Sequence, residues 1–148
     1  MKTPFTLFLF LLFIFSAKAQ SLNQGLIETT GSINSILSQN NQAQFLDHET
    51  NTSYFLRKIK ATITGDVFCL DSLTGNPSKA NYEMFNLLEV KSFAGDENEI
   101  NVVDKNREKI GKIVNIGHQD LQELIKEFDA LRFVCILYSR LDPKYKCD

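Results

Sequence analysis

Between residues 100 and 138 the spacing of apolar positions changes period twice, and this stretch organises the reading of the chain. Residues 100–104 and 109–116 are rich in Ile and Val and flank the polar run Lys105-Asn106-Arg107-Glu108. Two such runs joined by a short polar turn predict a β-hairpin. Ile110, Val114 and Ile116 share one parity and are expected on one sheet face, with Ile113 on the other. Gly117-His118 ends the second strand. Asp120-Leu121-Gln122-Glu123 then has the form of a capping box, in which Asp120 accepts from an amide of the first turn and Glu123 reaches back. Leu121, Leu124, Ile125, Phe128 and Leu131 follow as one apolar helical stripe. Residues 133–138 (Phe-Val-Cys-Ile-Leu-Tyr) are apolar throughout and read as a strand buried on both faces, with continuation of the helix as the competing reading.

Upstream, Leu22, Leu26, Ile33 and Leu37 fall at helical spacing, so residues 22–38 are expected to form a helix, weakened by Gly25, Thr29, Thr30 and Gly31. Residues 43–53 read as a polar connection. Within residues 54–70, Ile59, Ala61, Ile63, Val67 and Cys69 alternate with polar positions, the pattern of a strand with one wet face, and Gly65-Asp66 hints at a bulge. Phe68 and Leu70 fall on the nominally wet face. Unless the first helix covers them, they form an exposed apolar patch or line a pocket. Residues 71–81 contain Thr-Gly-Asn-Pro and read as a loop; residues 82–93 read as a strand ending before Ala94-Gly95-Asp96. Asp142-Pro143 closes the last element, ahead of a short tail. The expected fold is α+β: an antiparallel sheet of about four to five strands, with an N-terminal and a C-terminal helix packed on one face.

The first residues have a different character. A basic start, an almost wholly apolar run over residues 5–15 and the small-residue sequence Ser16-Ala17-Lys18-Ala19 form a secretory signal peptide, with cleavage expected after Ala19. The apolar run is shorter than the ~20 residues that span a bilayer. Residues 20–148 then form one domain, secreted or periplasmic. Without Lys2 and Lys18 the remaining chain carries 14 basic and 18 acidic residues, a net charge near −4. That balance disfavours nucleic acid as a partner. Arg57-Lys58-Ile59-Lys60 is the one dense basic cluster, read here as a solvated strand start.

Export makes disulfides permissible, and three cysteines remain: Cys69, Cys135 and Cys147. The pairing favoured here is Cys69 with Cys135, both in expected strands; Cys147 could instead reach back to either, and all three could stay reduced with two of them buried as small hydrophobes. Asn51-Thr52-Ser53 matches the N-glycosylation acceptor pattern, which matters only for a eukaryotic source.

Little in the chain points to catalysis. Asp47-His48-Glu49 groups three potential metal ligands, but neighbours in a loop rarely converge on one ion, and a solvated loop is the stronger reading. There is no HExxH, CxxC, phosphate loop, nucleophile elbow or dinucleotide fingerprint, so no metal or cofactor is expected. The sequence therefore suggests a small non-enzymatic module that binds a protein or a small apolar ligand. Two alternatives stand beside it: a small hydrolase or thiol enzyme using His118 or His48, which needs one of those histidines in a cleft beside a Cys, Ser or carboxylate, and a structural part of a cell-envelope assembly.

Overall fold

The computed structural model describes residues 3–70 and 81–141. Along the chain these form α1 (Thr3–Gln39), β1 (Gln44–Asp47), β2 (Ser53–Phe55), β3 (Ile59–Ala61), β4 (Asp66–Leu70), β5 (Asn81–Asn86), β6 (Val90–Asp96), β7 (Glu99–Asp104), β8 (Lys109–Val114) and α2 (His118–Leu141). The fold is α+β, with antiparallel sheets of five strands, in the order β2-β1-β8-β7-β6, and three strands, in the order β3-β4-β5. The expected loop over residues 71–80, Cys147 and the tail lie outside the described residues.

The hairpin at the centre of the sequence pattern is β7–β8, with Ile100 opposite Ile113 and Val102 opposite Gly111. Its core face carries Ile100, Val102, Gly111 and Ile113, all buried, while Ile110 and Val114 are half-buried on the other side. The two faces divide as expected, and the face of Ile113 is the buried one. Gly111 fits that face: β1 lies alongside, Phe45 fills the space over Gly111, and a Cβ there would collide with the Phe45 ring. Strand β1 sits within the stretch read as a polar connection, and Phe45 is fully buried.

Residues 54–70 fall in three short strands, β2, β3 and β4, the last two joined as a hairpin, rather than one long strand. Thr62 N–H donates to Asp66 O at 2.9 Å, and Gly65, with φ 99°, donates to Thr62 O at 3.0 Å. The positive φ is the left-handed region that glycine enters freely. Asp66 gathers this turn, accepting from the hydroxyls of Thr62 at 3.1 Å and Thr64 at 3.0 Å and from Asn86 Nδ2 at 2.6 Å. Ala61 pairs with Val67, so the turn preserves the alternation and Ile59, Val67 and Cys69 all reach the core.

Residues 133–138 are helical, not a strand. They complete α2, whose buried positions are Leu121, Leu124, Phe128, Leu131 and Cys135. That spacing of three and four continues one stripe past Leu131, and it places Phe133 outside, 58% exposed. The helix also starts earlier than the capping-box pattern suggests. Asp120 and Leu121 donate their amides to Gly117 O, at 2.9 and 3.0 Å. Asp120 thus lies in the first turn, where its charge suits the helix dipole.

Helices α1 and α2 run antiparallel. Gly25 faces Val134, and Asn40, just past the end of α1, meets the start of α2. Asn40 Nδ2 donates to Ile36 O at 2.9 Å and to Asp120 Oδ2 at 2.8 Å, while its Oδ1 accepts from Gly117 N–H at 2.8 Å. One amide side chain closes one helix and opens the other.

Four buried rings join the layers. Phe85 of β5 lies 5.9 Å from Phe45 of β1, 5.8 Å from Phe93 of β6 and 5.9 Å from Phe128 of α2, measured between centroids. Phe93 and Phe128 stack at 5.1 Å. Phe85 is the ring common to both sheets and the helix. Truncating Phe85→Ala is expected to lower the unfolding free energy by ~3–5 kcal/mol, read as a fall in the urea midpoint at unchanged m-value; a loss below 1 kcal/mol would show that the rings are not the junction.

Candidate functional site

The residues with the most obvious chemistry are mostly held in structural roles. Asp47 and Tyr82, with His48, Glu49, Glu83 and Glu108, line a cleft of about 560 Å³. Its central carboxylate is already saturated. Asp47 accepts from the amides of Glu49 (2.8 Å) and Thr50 (3.3 Å), the Thr50 hydroxyl (2.9 Å) and the Tyr82 hydroxyl. Tyr82 in turn stacks on Tyr54 at 3.7 Å. Burial pushes the Asp47 carboxyl pKa up, but the hydrogen bonds from Tyr82, Thr50 and the two amides outweigh it, so the net shift is downward. His48 and Glu49 are exposed on the turn. Among the described residues no three His, Cys, Asp or Glu side chains converge into a metal-binding group.

The cysteines do not form the expected bridge. Cys69 Sγ lies 3.0 Å from Phe55 O, whereas Cys135, buried on α2, turns its Sγ toward Thr62 O at 3.7 Å; no Cys69–Cys135 disulfide is present. The expectation placed Cys135 in a strand beside Cys69; as a helical residue it is aimed elsewhere. Burial, with the nearby Asp66 charge, pushes the Cys135 thiol up to about 11. A thiol so raised is almost wholly protonated near neutrality and a poor nucleophile. His118 opens α2 and Cys135 lies 17 residues further along the same helix, so at the α-helical rise they stand roughly 25 Å apart. The His118 ring instead sits 3.4 Å from Glu97 O at the surface. Asn51 is exposed on the β1–β2 turn.

A second concavity is differently made. Between α1 and the edge strand β3 runs an open groove of about 400 Å³, walled by Leu26, Ile27, Thr30 and Gly31 on one side and by Lys58 to Ala61 and Leu70 on the other. Leu70 of the expected apolar patch is on this wall; its neighbour Phe68 is half-buried and does not line the groove. Asn34 sets the spacing between the walls. Its Nδ2 donates to Ile59 O at 3.0 Å and its Oδ1 accepts from Ile59 N–H at 2.7 Å, so the side chain pairs with the strand edge as a neighbouring strand would. Three features of the α1 wall depart from an ordinary core-facing helix. Ile27 is 59% exposed. Thr30 has a buried hydroxyl oxygen with no hydrogen-bond partner. Gly31 has nothing within 4 Å of where a Cβ would stand.

Sequence periodicity passed over this groove because its signal is negative. Thr30 stands where the Leu26–Ile33–Leu37 stripe calls for an apolar residue, and Gly31 beside it reads only as a weak helix position. Comparison with protein-family models, curated proteins and solved structures finds no match for this chain.

Two outcomes follow from the buried polar groups. The Asp47 pKa lies below its ordinary value, so the stability it contributes is present above that value and is lost as pH falls through the folded one. Replacing Tyr82→Phe is therefore expected to cost about 1–2 kcal/mol at neutral pH and to flatten the acid limb of the stability profile, measured by urea unfolding from neutral pH downward. With Cys147→Ser as background, the native protein at pH 8 is expected to resist iodoacetamide and to react once urea unfolds it; rapid native alkylation of Cys135 would contradict the burial.

Proposed function

We propose that the protein is a secreted or periplasmic, non-enzymatic binding module whose ligand seat is the groove between α1 and β3. The observation that carries this reading is the groove itself: exposed Ile27 and the vacant Gly31 on α1 stand across open space from half-buried Leu70. Concave, mainly apolar sites with a few polar groups are the usual form of small-ligand pockets, which span about 300–1,000 Å³. The leader-like first 19 residues support export. The enzymatic alternatives draw less support, since Cys135 is buried and protonated and His118 is spent at the surface far along the same helix.

The test uses a neutral amphiphile, octyl glucoside, titrated below its micelle concentration into isotopically labelled protein. Saturable amide shifts are expected at Thr30, Gly31, Ala61 and Leu70, with none around Glu89 and Lys109 of the acidic cleft. Shifts that stay linear and scatter over the surface would refute the groove as a ligand seat.

A further inference from the structure

We infer that the groove is selective for a single-chain amphiphile with an anionic head, such as a free alkyl carboxylate taken up as a monomer. The inference rests on the binding-module reading and adds the sign of charge to it.

Lys58 and Lys60 lie two residues apart on an extended segment and so project to the same side. Both line the groove and both are exposed. Among the described residues neither forms an ion pair, whereas Lys112 pairs with Glu99 at 2.8 Å and Arg132 with Asp129 at 3.7 Å. Arg57 beside them lies over the Phe55 ring at 6.0 Å. The chain as a whole is net negative. Two ammonium groups with no partner among the described residues, set along an apolar groove, are thus a local reversal of the overall field and favour an anion there.

A glycine inside a helix is destabilising relative to alanine. At Gly95, in strand β6, the missing side chain has a clear use, because a Cβ would come within 2.7 Å of Leu121 Cδ2 and 2.8 Å of Ile125 Cδ1. At Gly31, in α1, nothing among the described residues lies within 4 Å of where a Cβ would stand, so the vacancy leaves the groove open there. Thr30 adds a polar contact. Its neighbour Thr29 donates back to Gly25 O at 2.7 Å, the ordinary resort of a helical threonine. Thr30 makes no such bond, and a χ1 rotation offers its hydroxyl to a ligand oxygen. A tail along Leu26, Ile27 and Leu70 with a carboxylate at the lysines satisfies all of these groups together.

The experiment compares decanoate, decyltrimethylammonium and octyl glucoside, each below its micelle concentration, by calorimetry and by the amide shifts of Gly31 and Leu70. Decanoate is expected to bind at least tenfold more tightly than decyltrimethylammonium. Affinity should rise about two- to fourfold per methylene from hexanoate to decanoate, as buried chain length grows. The double variant Lys58→Gln/Lys60→Gln is expected to weaken decanoate about three- to tenfold and to leave octyl glucoside unchanged. Gly31→Leu, which fills the vacancy with a better helix former, is expected to abolish all binding at an equal or higher Tm. Equal affinity for the two charged probes overturns the anion selectivity while leaving the binding module standing; no saturable binding of any probe removes both. Undiminished decanoate binding by Gly31→Leu places the ligand elsewhere and overturns the inference. Co-sedimentation with phosphatidylglycerol vesicles that reproduces the same groove shifts would make the partner a membrane surface and equally overturn it.

Discussion

Phe85 is the residue on which the layers of this protein converge. The three-stranded sheet β3-β4-β5 buries one apolar face, with Ile59, Val67, Cys69 and Phe85, against the rest of the protein. Phe85 carries that face to the five-stranded sheet by meeting Phe45 and Phe93, and to α2 by meeting Phe128. Tilted and edge-on rings at these separations add to the burial of their area, because the edge of one ring is attracted to the face of the next. The surrounding composition follows from this junction. Gly111 is small because Phe45 occupies the space above it, and Gly95 is small because Leu121 and Ile125 of α2 press on β6. Bulk at four positions is matched by absence at two.

Helix α1 is fixed by a different principle. Its stripe of Leu26, Ile33, Ile36 and Leu37 is buried, but apolar burial is non-directional and does not by itself set rotation or height. Directional bonds do. Asn34 makes two bonds to the edge of β3, and Asn40 bonds at once to Ile36, Gly117 and Asp120. These amides lie six residues apart, so the last turns of α1 are anchored to β3 and to the start of α2. Upstream of Asn34 the stripe is interrupted by Thr30, flanked by Gly31, and there the groove lies open. Its position is therefore a consequence of where the polar anchors stop.

Much of the architecture could be read from residue spacing, and the errors share a cause. The β7–β8 hairpin, the body of both helices and the α+β class follow from local periodicity, which tertiary contacts merely confirm. Residues 133–138 misled because an unbroken apolar run suits a buried strand and a helix packed on two sides equally well. The deciding sign was Cys135, four beyond Leu131, which keeps the helical stripe in phase. Strand β1 was missed since the inward positions of this stretch, Ala43, Phe45 and Asp47, end on a carboxylate and so show no apolar period; it is a strand because β2 and β8 pair with it on either side. The β3–β4 turn was hidden because it returns the chain in phase, so that Ile59, Val67 and Cys69 alternate as if on one strand. Asp120 resembled a cap and is instead a partner of Asn40, eighty residues away, a distance over which no local pattern reports.

The same reasoning separates the two concavities. The acidic cleft attracts attention in the sequence because Asp47, His48 and Glu49 are chemically versatile, yet the structure has already satisfied Asp47 with four donors. A buried carboxylate whose lone pairs are filled holds a turn together and has little capacity left for a ligand. The groove presents the opposite condition. Among the described residues its Thr30 hydroxyl has no hydrogen-bond partner, its Ile27 is exposed, its two lysines form no ion pair and nothing stands where a Gly31 Cβ would be. The unbonded hydroxyl and the helical glycine are small free-energy penalties in the isolated chain, and they line one space with the lysines. Penalties scattered over a surface are ordinary; the proposed ligand seat rests on penalties that one ligand could relieve at once.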